Sequence, residues 1–395
     1  MNYNLKKAFE FIEENEKEMQ SLWIDLCKIE SPSIDTDNVN LAINFLEKKL
    51  IEYGMKTKIY EFSQGPNSLT AFFDNGSNHL EMAILGHLDT VHKKGLFGEE
   101  VVKIDFENDT IYGPGVLDCK GGVIVGALVA RALNHINYDK IVKLAFSGDE
   151  EVGHRYTLGE GKQFFLNELK GFKTCIDCET GFVDGRVVTG RKGTANFKIT
   201  IKGKAAHSGN EPQNGVSSIK EAAYKTINIE KNNDFNSIHY NVGVIEGGTS
   251  QNTIPEYCTM TVNVRFKNLN DLDKIKSFLT DITNTSFVDG TTSEITQISL
   301  SDPMEQTKKN LQLFELLKTN SEKLGFGTPY SCHLGGGSDA AYSVTLGIPT
   351  VCGMGVKGYE NHTIRERALL SSLVERSKLI LQTILTLPET FEEEK

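Results

Sequence analysis

Apolar side chains recur at helical spacing from Leu5 to Ile29 and again from Val39 to Tyr53, where Gly54 supplies the residue type best suited to a left-handed cap. The pattern therefore predicts two opening helices. It then shifts to short runs of β-forming residues at Ser68 to Phe73, Met82 to Leu85, Ile141 to Phe146 and Thr174 to Ile176. An apolar helix from Gly121 to Ile136 falls between the second and third of these. Strands alternating with helices predict an α/β sandwich on a mainly parallel sheet.

The middle of the chain follows a different rhythm. Strand-like alternation from Ala195 to Lys202 gives way to a helical pattern from Val216 to Ile229, strands from Tyr240 to Ile245 and Tyr257 to Phe266, a helix from Leu269 to Ile282 and a strand from Glu294 to Leu300. The order βαββαβ is that of a ferredoxin-like unit. It begins at the Arg191-Lys192-Gly193 turn and ends at Asp302-Pro303, after which helical patterning resumes from Leu311 to Leu324. Two domains are expected: residues 1–191 and 303–395 as a catalytic, metal-binding α/β sandwich, and residues 192–302 as an inserted unit. An exposed sheet edge on that unit suits dimerisation, so a homodimer is expected.

Composition narrows the function classes. A net charge of −11 gives no general attraction for polyanions, and no basic run interleaved with aromatics marks a nucleic-acid groove. Charge interrupts the N-terminal stretch before any signal-peptide core forms, and no later stretch is apolar long enough to span a bilayer, so the expected compartment is the cytoplasm. The seven cysteines form no dense framework and are expected to be reduced thiols; Cys175 and Cys178, though spaced CxxC, fall inside a strand run and read as packing residues. The charged C-terminal segment from Glu392 to Lys395 reads as solvated.

Chemistry gathers where the strand-forming runs stop, the place where ligands bind in open α/β sheets. Ala83-Ile84-Leu85 is followed by Gly86-His87-Leu88-Asp89, Leu144-Ala145-Phe146 by Ser147-Gly148-Asp149-Glu150-Glu151, and Ile176-Asp177-Cys178 by Glu179; between them Gly113-Pro114-Gly115 leads to Asp118. Carboxylates and an imidazole crowded at neighbouring strand mouths repel and desolvate one another unless a cation holds them, which points to a metal site with more than one ion. His87 alone reads more readily as a hydrogen-bonded core histidine; the surrounding carboxylates reverse that preference.

These residues carry a resemblance. His87-Leu88-Asp89-Thr90-Val91, Gly113-Pro114-Gly115 with Asp118 and Lys120-Gly121-Gly122, Asp149-Glu150-Glu151-Val152-Gly153 and Glu179 are similar to the motifs of the M20 family of co-catalytic zinc peptidases. Further on, Lys204-Ala205-Ala206-His207-Ser208-Gly209, Gly247-Gly248-Thr249-Ser250-Gln251-Asn252, Val264-Arg265-Phe266, Gly335-Gly336-Gly337-Ser338-Asp339 and Asn361-His362 follow in the order this family shows, so the resemblance spans nearly the whole chain. Each motif is weak alone; their joint order is specific.

The resemblance implies two divalent ions, zinc by preference with cobalt or manganese as other fits. One is held by His87, Asp118 and Glu179, the other by Asp118, Glu151 and His362, with Asp118 bridging. Asp89 is implied to orient the His87 ring, and Glu150 to act as general base on a water between the ions. His207 is implied to stabilise the oxyanion, often in the partner subunit's site, while Asn252, Arg265 and the Gly336-Gly337 turn bind substrate. Arg265 has the fork geometry that suits a free carboxylate, although pairing with an acidic neighbour on its own sheet is an open alternative. His154 and His333 flank motifs and are candidates to line the cleft. Cys119, beside the bridging aspartate, departs from the usual motif and suggests sensitivity to oxidation.

The expected activity is cleavage of an amide bond next to a free C-terminal carboxylate, since the Gly336-Gly337-Ser338-Asp339-Ala340-Ala341-Tyr342 stretch and Glu179 look closest to the glutamate carboxypeptidase branch. The alternative is an N-acyl amino acid deacylase of the acetylornithine or desuccinylase kind. The substrate is accordingly a small peptide or an N-acyl amino acid. A non-catalytic, metal-containing binding protein is a third reading, against which the intact Glu150 and five ligand positions stand. A serine hydrolase would need a G-x-S-x-G elbow, and Gly336-Gly337-Ser338-Asp339-Ala340 lacks its last glycine; a dinucleotide fold would need G-x-G-x-x-G, which Gly113-Pro114-Gly115-Val116-Leu117-Asp118 does not supply.

Overall fold

A computed structural model describes residues 3–392. Of the charged C-terminal segment, residues 393–395 lie outside the described part. Two compact units make up the chain: residues 1–190, 306–333 and 338–395 form the first, and residues 191–305 with 334–337 the second.

In the first unit an eight-stranded sheet runs in the order Lys56–Tyr60, Ser68–Phe72, Ile141–Ser147, Leu80–His87, Thr174–Asp177, Thr350–Cys352, Arg186–Arg191, Tyr330–Leu334. Its centre is parallel. Leu80–His87 pairs in parallel with both Ile141–Ser147 and Thr174–Asp177, and Thr350–Cys352 continues the parallel set, while Lys56–Tyr60, Ser68–Phe72 and Arg186–Arg191 add antiparallel flanks. Register decides what this brings together. His87 lies opposite Ser147 and Leu85 opposite Asp177, so the loops carrying His87, Glu150, Glu151 and Glu179 all leave the same edge of the sheet.

The Lys120–His135 helix crosses this sheet with nearly every residue buried. Gly122 makes that possible, because a Cβ there would lie 1.8 Å from the Cys178 carbonyl oxygen. The close approach sets the helix start, and Asp118 just before it, against the strand that delivers Glu179. Trp23 Nε1 donates to the Val116 carbonyl at 3.1 Å, and the buried Lys120 ammonium donates to the carbonyls of Leu26 and Ile29, tying the same loop to the opening helices.

Those opening helices differ from the pattern's prediction. The apolar stripe from Leu5 to Ile29 is divided at Asn15 into Tyr3–Glu14 and Glu16–Lys28, so three helices precede the first strand. Asn15 turns its side-chain amide back onto the Phe11 carbonyl, a local bond that competes with helix continuation. A second, five-stranded sheet of two- and three-residue strands, Lys103–Asp105, Thr110–Tyr112, Arg367–Leu369, Lys357–Tyr359 and Gly181–Phe182, has no counterpart in the pattern, because pieces this short show no period. Its Lys357–Tyr359 and Arg367–Leu369 strands pair antiparallel and carry the His362 loop between them.

The second unit is the βαββαβ arrangement. Gly193–Lys202, His239–Gly247, Tyr257–Phe266 and Thr292–Ser301 form one antiparallel sheet in the ferredoxin-like order, second, third, first, fourth, with the Ser218–Glu230 and Asp271–Asn284 helices as crossovers. It has its own core of alternate strand residues, among them Phe197, Ile199, Met260, Val262 and Val264. Lys225, fully buried, pairs with Glu221 at 2.9 Å and donates to the carbonyls of Ile282, Thr283 and Thr285, so the charge is satisfied inside the unit. The glycine turn at 334–337 belongs to this unit and not, as patterning grouped it, to the larger one; Lys192 N donates to Leu334 O, Arg191 to the Gly336 and Gly337 carbonyls and Arg265 to that of Gly335.

Candidate metal centre

Five predicted ligands converge in the first unit. His87 Nε2 lies 3.1 Å from Asp118 Oδ1 and 3.4 Å from Glu179 Oε1; His362 Nε2 lies 3.2 Å from Asp118 Oδ2 and 3.3 Å from Glu151 Oε2. Asp118 thus offers one oxygen to each imidazole. The donor atoms of His87, Asp118 and Glu151 all fall within 4.8 Å of one another, as do those of His87, Cys119 and Glu179. The residues fit divalent ions. The His87 Nδ1 is engaged by Asp89, its backbone oxygen at 3.0 Å and its Oδ1 at 3.3 Å, which leaves the Nε2 lone pair aimed at carboxylate oxygens, an arrangement a cation resolves. Glu151 Oε1 is buried with no partner among the described residues, a second sign that the cluster is built for something positive.

The charge balance says the same. On His362, the carboxylates of Asp118 and Glu151 push the imidazole up to about 11. Burial and the neighbouring Asp118 push Glu151 up to about 7 despite its contact with His362. Burial, then Glu179, Asp339 and Glu151, hold Glu150 well above the usual carboxylate range, and His87 opposes them only in part. Asp118 goes the other way: burial works against its charge, but the two imidazoles and Asn361, whose amide donates to Oδ2 at 2.9 Å, hold it well below its usual value. More carboxylates meet here than the chain's own cations neutralise.

Asp89 does more than orient His87. Its Oδ1 accepts from the Glu150 amide at 3.1 Å and its Oδ2 from the Glu151 amide at 3.2 Å and from the Ser33 hydroxyl at 2.6 Å. The one buried carboxylate therefore fixes His87 and the start of the 3₁₀ turn Glu150–Val152 together. The Glu150 side chain itself bonds to nothing among the described residues.

Two positioning roles escaped the sequence. Glu366, almost fully buried, accepts the Leu117 and Asp118 amides on Oε1 at 2.9 and 3.0 Å and contacts His92 Nε2 through Oε2 at 2.5 Å, holding the backbone of Asp118. No local signal links residues so far apart. His154, a candidate to line the cleft, is instead buried with its two ring nitrogens 2.8 Å from Asp149 Oδ1 and 2.7 Å from Asp339 Oδ1. Asp149 also accepts from Thr157, and Asp339 from Ser147, so the bridge clamps the Glu150-Glu151 turn onto the segment after the glycine turn. Cys119 is fully buried and burial pushes its thiol up, so it is held as a thiol rather than as the exposed thiolate that oxidation favours. Cys175 and Cys178 are likewise buried and unpaired.

The remaining predicted residues lie in the second unit. His207 is exposed, and its Nδ1 accepts from the Gly209 and Asn210 amides at 3.1 Å each, which leaves the proton on Nε2 as a donor. Asn252 sits beside it: its carbonyl accepts from Ser208 N at 2.9 Å, and Thr253 pairs with His207. Arg265 bonds to Asn263, Thr194 and the Gly335 carbonyl, with no acidic partner among the described residues. At Gly337 a Cβ would meet nothing within 4 Å, at Gly336 only the Arg191 guanidinium at 3.9 Å, and neither has a left-handed backbone, so nothing within the chain demands glycine there.

Similarity to known proteins accords with this geometry. The M20 peptidase dimerisation domain matches residues 189–291. Carboxypeptidase G2 of Pseudomonas sp. (strain RS-16) is 26% identical over 373 residues, covering 92% of this chain and 87% of that protein. Together these findings support an M20 family metallopeptidase. They indicate a hydrolytic enzyme and imply divalent metal cofactors. A succinyl-diaminopimelate desuccinylase from Ehrlichia chaffeensis is 26% identical, covering 64% of this chain and 70% of that protein. The fold is shared with a tripeptidase from Staphylococcus aureus, 22% identical, over 94% of this chain and 98% of that one, at a TM-score of 0.78. No helix among the described residues is long and apolar enough to cross a membrane.

The His154 bridge has a pH signature. Burial works against its charge, but Asp339 and Asp149 outweigh burial and hold the imidazolium well above its usual pKa. A raised folded pKa contributes stability that is whole below the unfolded value of about 6.5 and is lost as pH rises through the folded value. His154→Ala is therefore expected to lower stability by about 3–5 kcal/mol at pH 6, with the gap narrowing in alkali. Urea unfolding of both proteins from pH 6 to pH 10 measures this; a gap that does not change with pH contradicts it.

Proposed function

We propose that the enzyme hydrolyses the amide bond next to a free C-terminal carboxylate, releasing a terminal amino acid, with two ions at the centre and zinc as the metal the imidazole and carboxylate donors suit best. The observation that carries this is Asp118 presenting one oxygen to each of two imidazoles, with a further carboxylate, Glu150, left without a side-chain partner among the described residues. In this reading His87, Asp118 and Glu179 hold one ion and Asp118, Glu151 and His362 the other. When bound, the ions supply Lewis-acid charge to the scissile carbonyl and acidify water.

Glu150 takes the proton from the attacking water and returns it to the departing nitrogen, so no covalent enzyme intermediate is needed. Asp89 fixes the backbone of Glu150 and Glu151, which keeps the base and its ligating neighbour in separate roles. In the second unit, Arg265 keeps a guanidinium that no acidic side chain neutralises, which suits a substrate carboxylate, with Asn252 and the Gly336-Gly337 turn as further substrate contacts. His207, with its proton on Nε2, suits an oxyanion. Self-association through the unit that matches the dimerisation domain is part of the same proposal. The desuccinylase relative favours one second reading, deacylation of an N-acyl amino acid at the same centre.

Metal-loaded protein, with a chelated control, is expected to cleave peptides with a free C-terminus and to leave their C-terminal amides intact, as liberated amino acid would report. Cleavage restricted to short N-acyl amino acids moves the assignment to the deacylase; equal cleavage of acids and amides removes the carboxylate requirement. Glu150→Gln is expected to retain its metal and fold while kcat falls by about 10²–10⁴-fold. Unaltered turnover in that variant rules Glu150 out as the base.

A further inference from the structure

A cavity of about 400 Å³ lies in the first unit between the segment at residues 96–101, one face of the five-stranded sheet and the segment at residues 364–367. Sites for small organic molecules begin at roughly 300 Å³. Leu96, Phe97, Val101 and Ile364 give it apolar walls, and Leu96 and Ile364 are exposed. Its floor follows from strand register. Lys103 pairs with Tyr112, Tyr112 with Arg367 and Arg367 with Tyr359, so these four side chains form one row across the sheet. Ile111 and Ala368, at the alternate positions, are buried, which turns the row outward.

Three cations meet two carboxylates here. Glu360 accepts from Arg365 Nε at 3.1 Å on both oxygens and also pairs with Arg367, so one carboxylate serves two guanidiniums. Glu100 is the other acid at the wall; the exposed Lys103 has no ion pair, and the Tyr112 hydroxyl no hydrogen bond, among the described residues. The excess positive charge therefore sits at an open position beside apolar walls. The same walls touch the supports of the metal centre. Phe97 packs edge-on against His92, ring centroids 5.0 Å apart, and His92 contacts the Glu366 that accepts the Asp118 amide. Glu366 sits between Arg365 and Arg367, so one short segment serves Asp118 with one residue and the cavity with its neighbours. Ile364 follows His362 by two residues, at most about 7 Å of chain.

We propose that this cavity takes the acyl side of the scissile amide, an apolar, ring-sized body with a negative charge at its far end, and so selects among substrates. The inference rests on the amide-hydrolase reading above. In that reading Arg265, in the second unit, takes the carboxylate of the departing residue, which leaves the acyl side for walls of the first unit. Phe97 and Ile364 meet the apolar body, and Lys103 meets the charge. Contacts this far from the reacting atoms strengthen substrate and transition state alike, so they show in KM and not in kcat.

The test is a series of acyl groups, acetyl, benzoyl, 4-carboxybenzoyl and 4-carbamoylbenzoyl, each on the nitrogen of alanine and of glutamate. The metal-loaded full chain hydrolyses them; the chelated chain binds them without turnover, as calorimetry reads. Through KM, kcat/KM is expected to rise about tenfold from acetyl to benzoyl and about threefold from the carbamoyl to the carboxyl ring at low salt. The second step fades as ionic strength rises. Lys103→Glu, at an exposed position, is expected to abolish the preference for the carboxyl ring, and Ile364→Ser to cut the benzoyl-to-acetyl ratio about threefold. Equal kcat/KM across the four acyl groups, or a carboxyl preference that survives Lys103→Glu, overturns the inference and leaves the hydrolase reading standing. Hydrolysis of none overturns that reading, and affinities in the chelated chain then decide this one: the same order of preference supports the cavity's role, and equal affinities refute it.

Discussion

The sharing of one carboxylate between two imidazoles governs this molecule. Asp118 presents its two oxygens to His87 and His362, and Glu151 and Glu179 close around the same nitrogens. Such a concentration of like charge at one sheet edge is unfavourable for the folded chain by itself, and its persistence requires both a cation to complete it and a scaffold rigid enough to impose it. The parallel register supplies the first part of that scaffold, bringing three ligand loops to one edge. Gly122, by letting the crossing helix touch the Cys178 carbonyl, supplies the second.

The remaining precision comes from carboxylates that do not face the centre. Asp89, Glu366, Asp149 and Asp339 are all buried, and each spends its oxygens on backbone amides, hydroxyls or imidazoles that belong to the ligand loops. Asp89 holds His87 and the Glu150-Glu151 turn, Glu366 holds the Asp118 backbone, and His154 ties the turn to the segment beginning at Ser338. Groups of this kind orient ligands and tune their basicity, and outer partners matter to metal affinity nearly as much as the ligands do. Glu150, with no side-chain bond among the described residues, is the exception, and in the proposed function this leaves a base free to move a proton.

The proposed ligands were legible in the sequence because most of them end strands whose patterning is strong, and because a family-specific order of motifs runs through them. The βαββαβ unit was legible for a similar reason: its strands are about ten residues long and alternate cleanly, as in Gly193–Lys202 and Tyr257–Phe266. What patterning missed was short or distant. The three-residue strands that carry the His362 loop have no period to detect, and the break at Asn15 depends on one side-chain amide. Glu366 meets His92 across 274 positions and His154 meets Asp339 across 185, contacts that no local window contains. The attachment of residues 334–337 to the second unit, through Arg191 and Arg265, is of the same kind.

The central claim, that Asp118 is shared by two ions, is tested most directly by counting them. Metal content after equilibrium dialysis against limiting free zinc should give two ions per chain in the native protein, and Asp118→Asn should retain fewer than one while remaining folded by circular dichroism. A single tightly held ion in the native protein, or two retained by Asp118→Asn, would contradict the account.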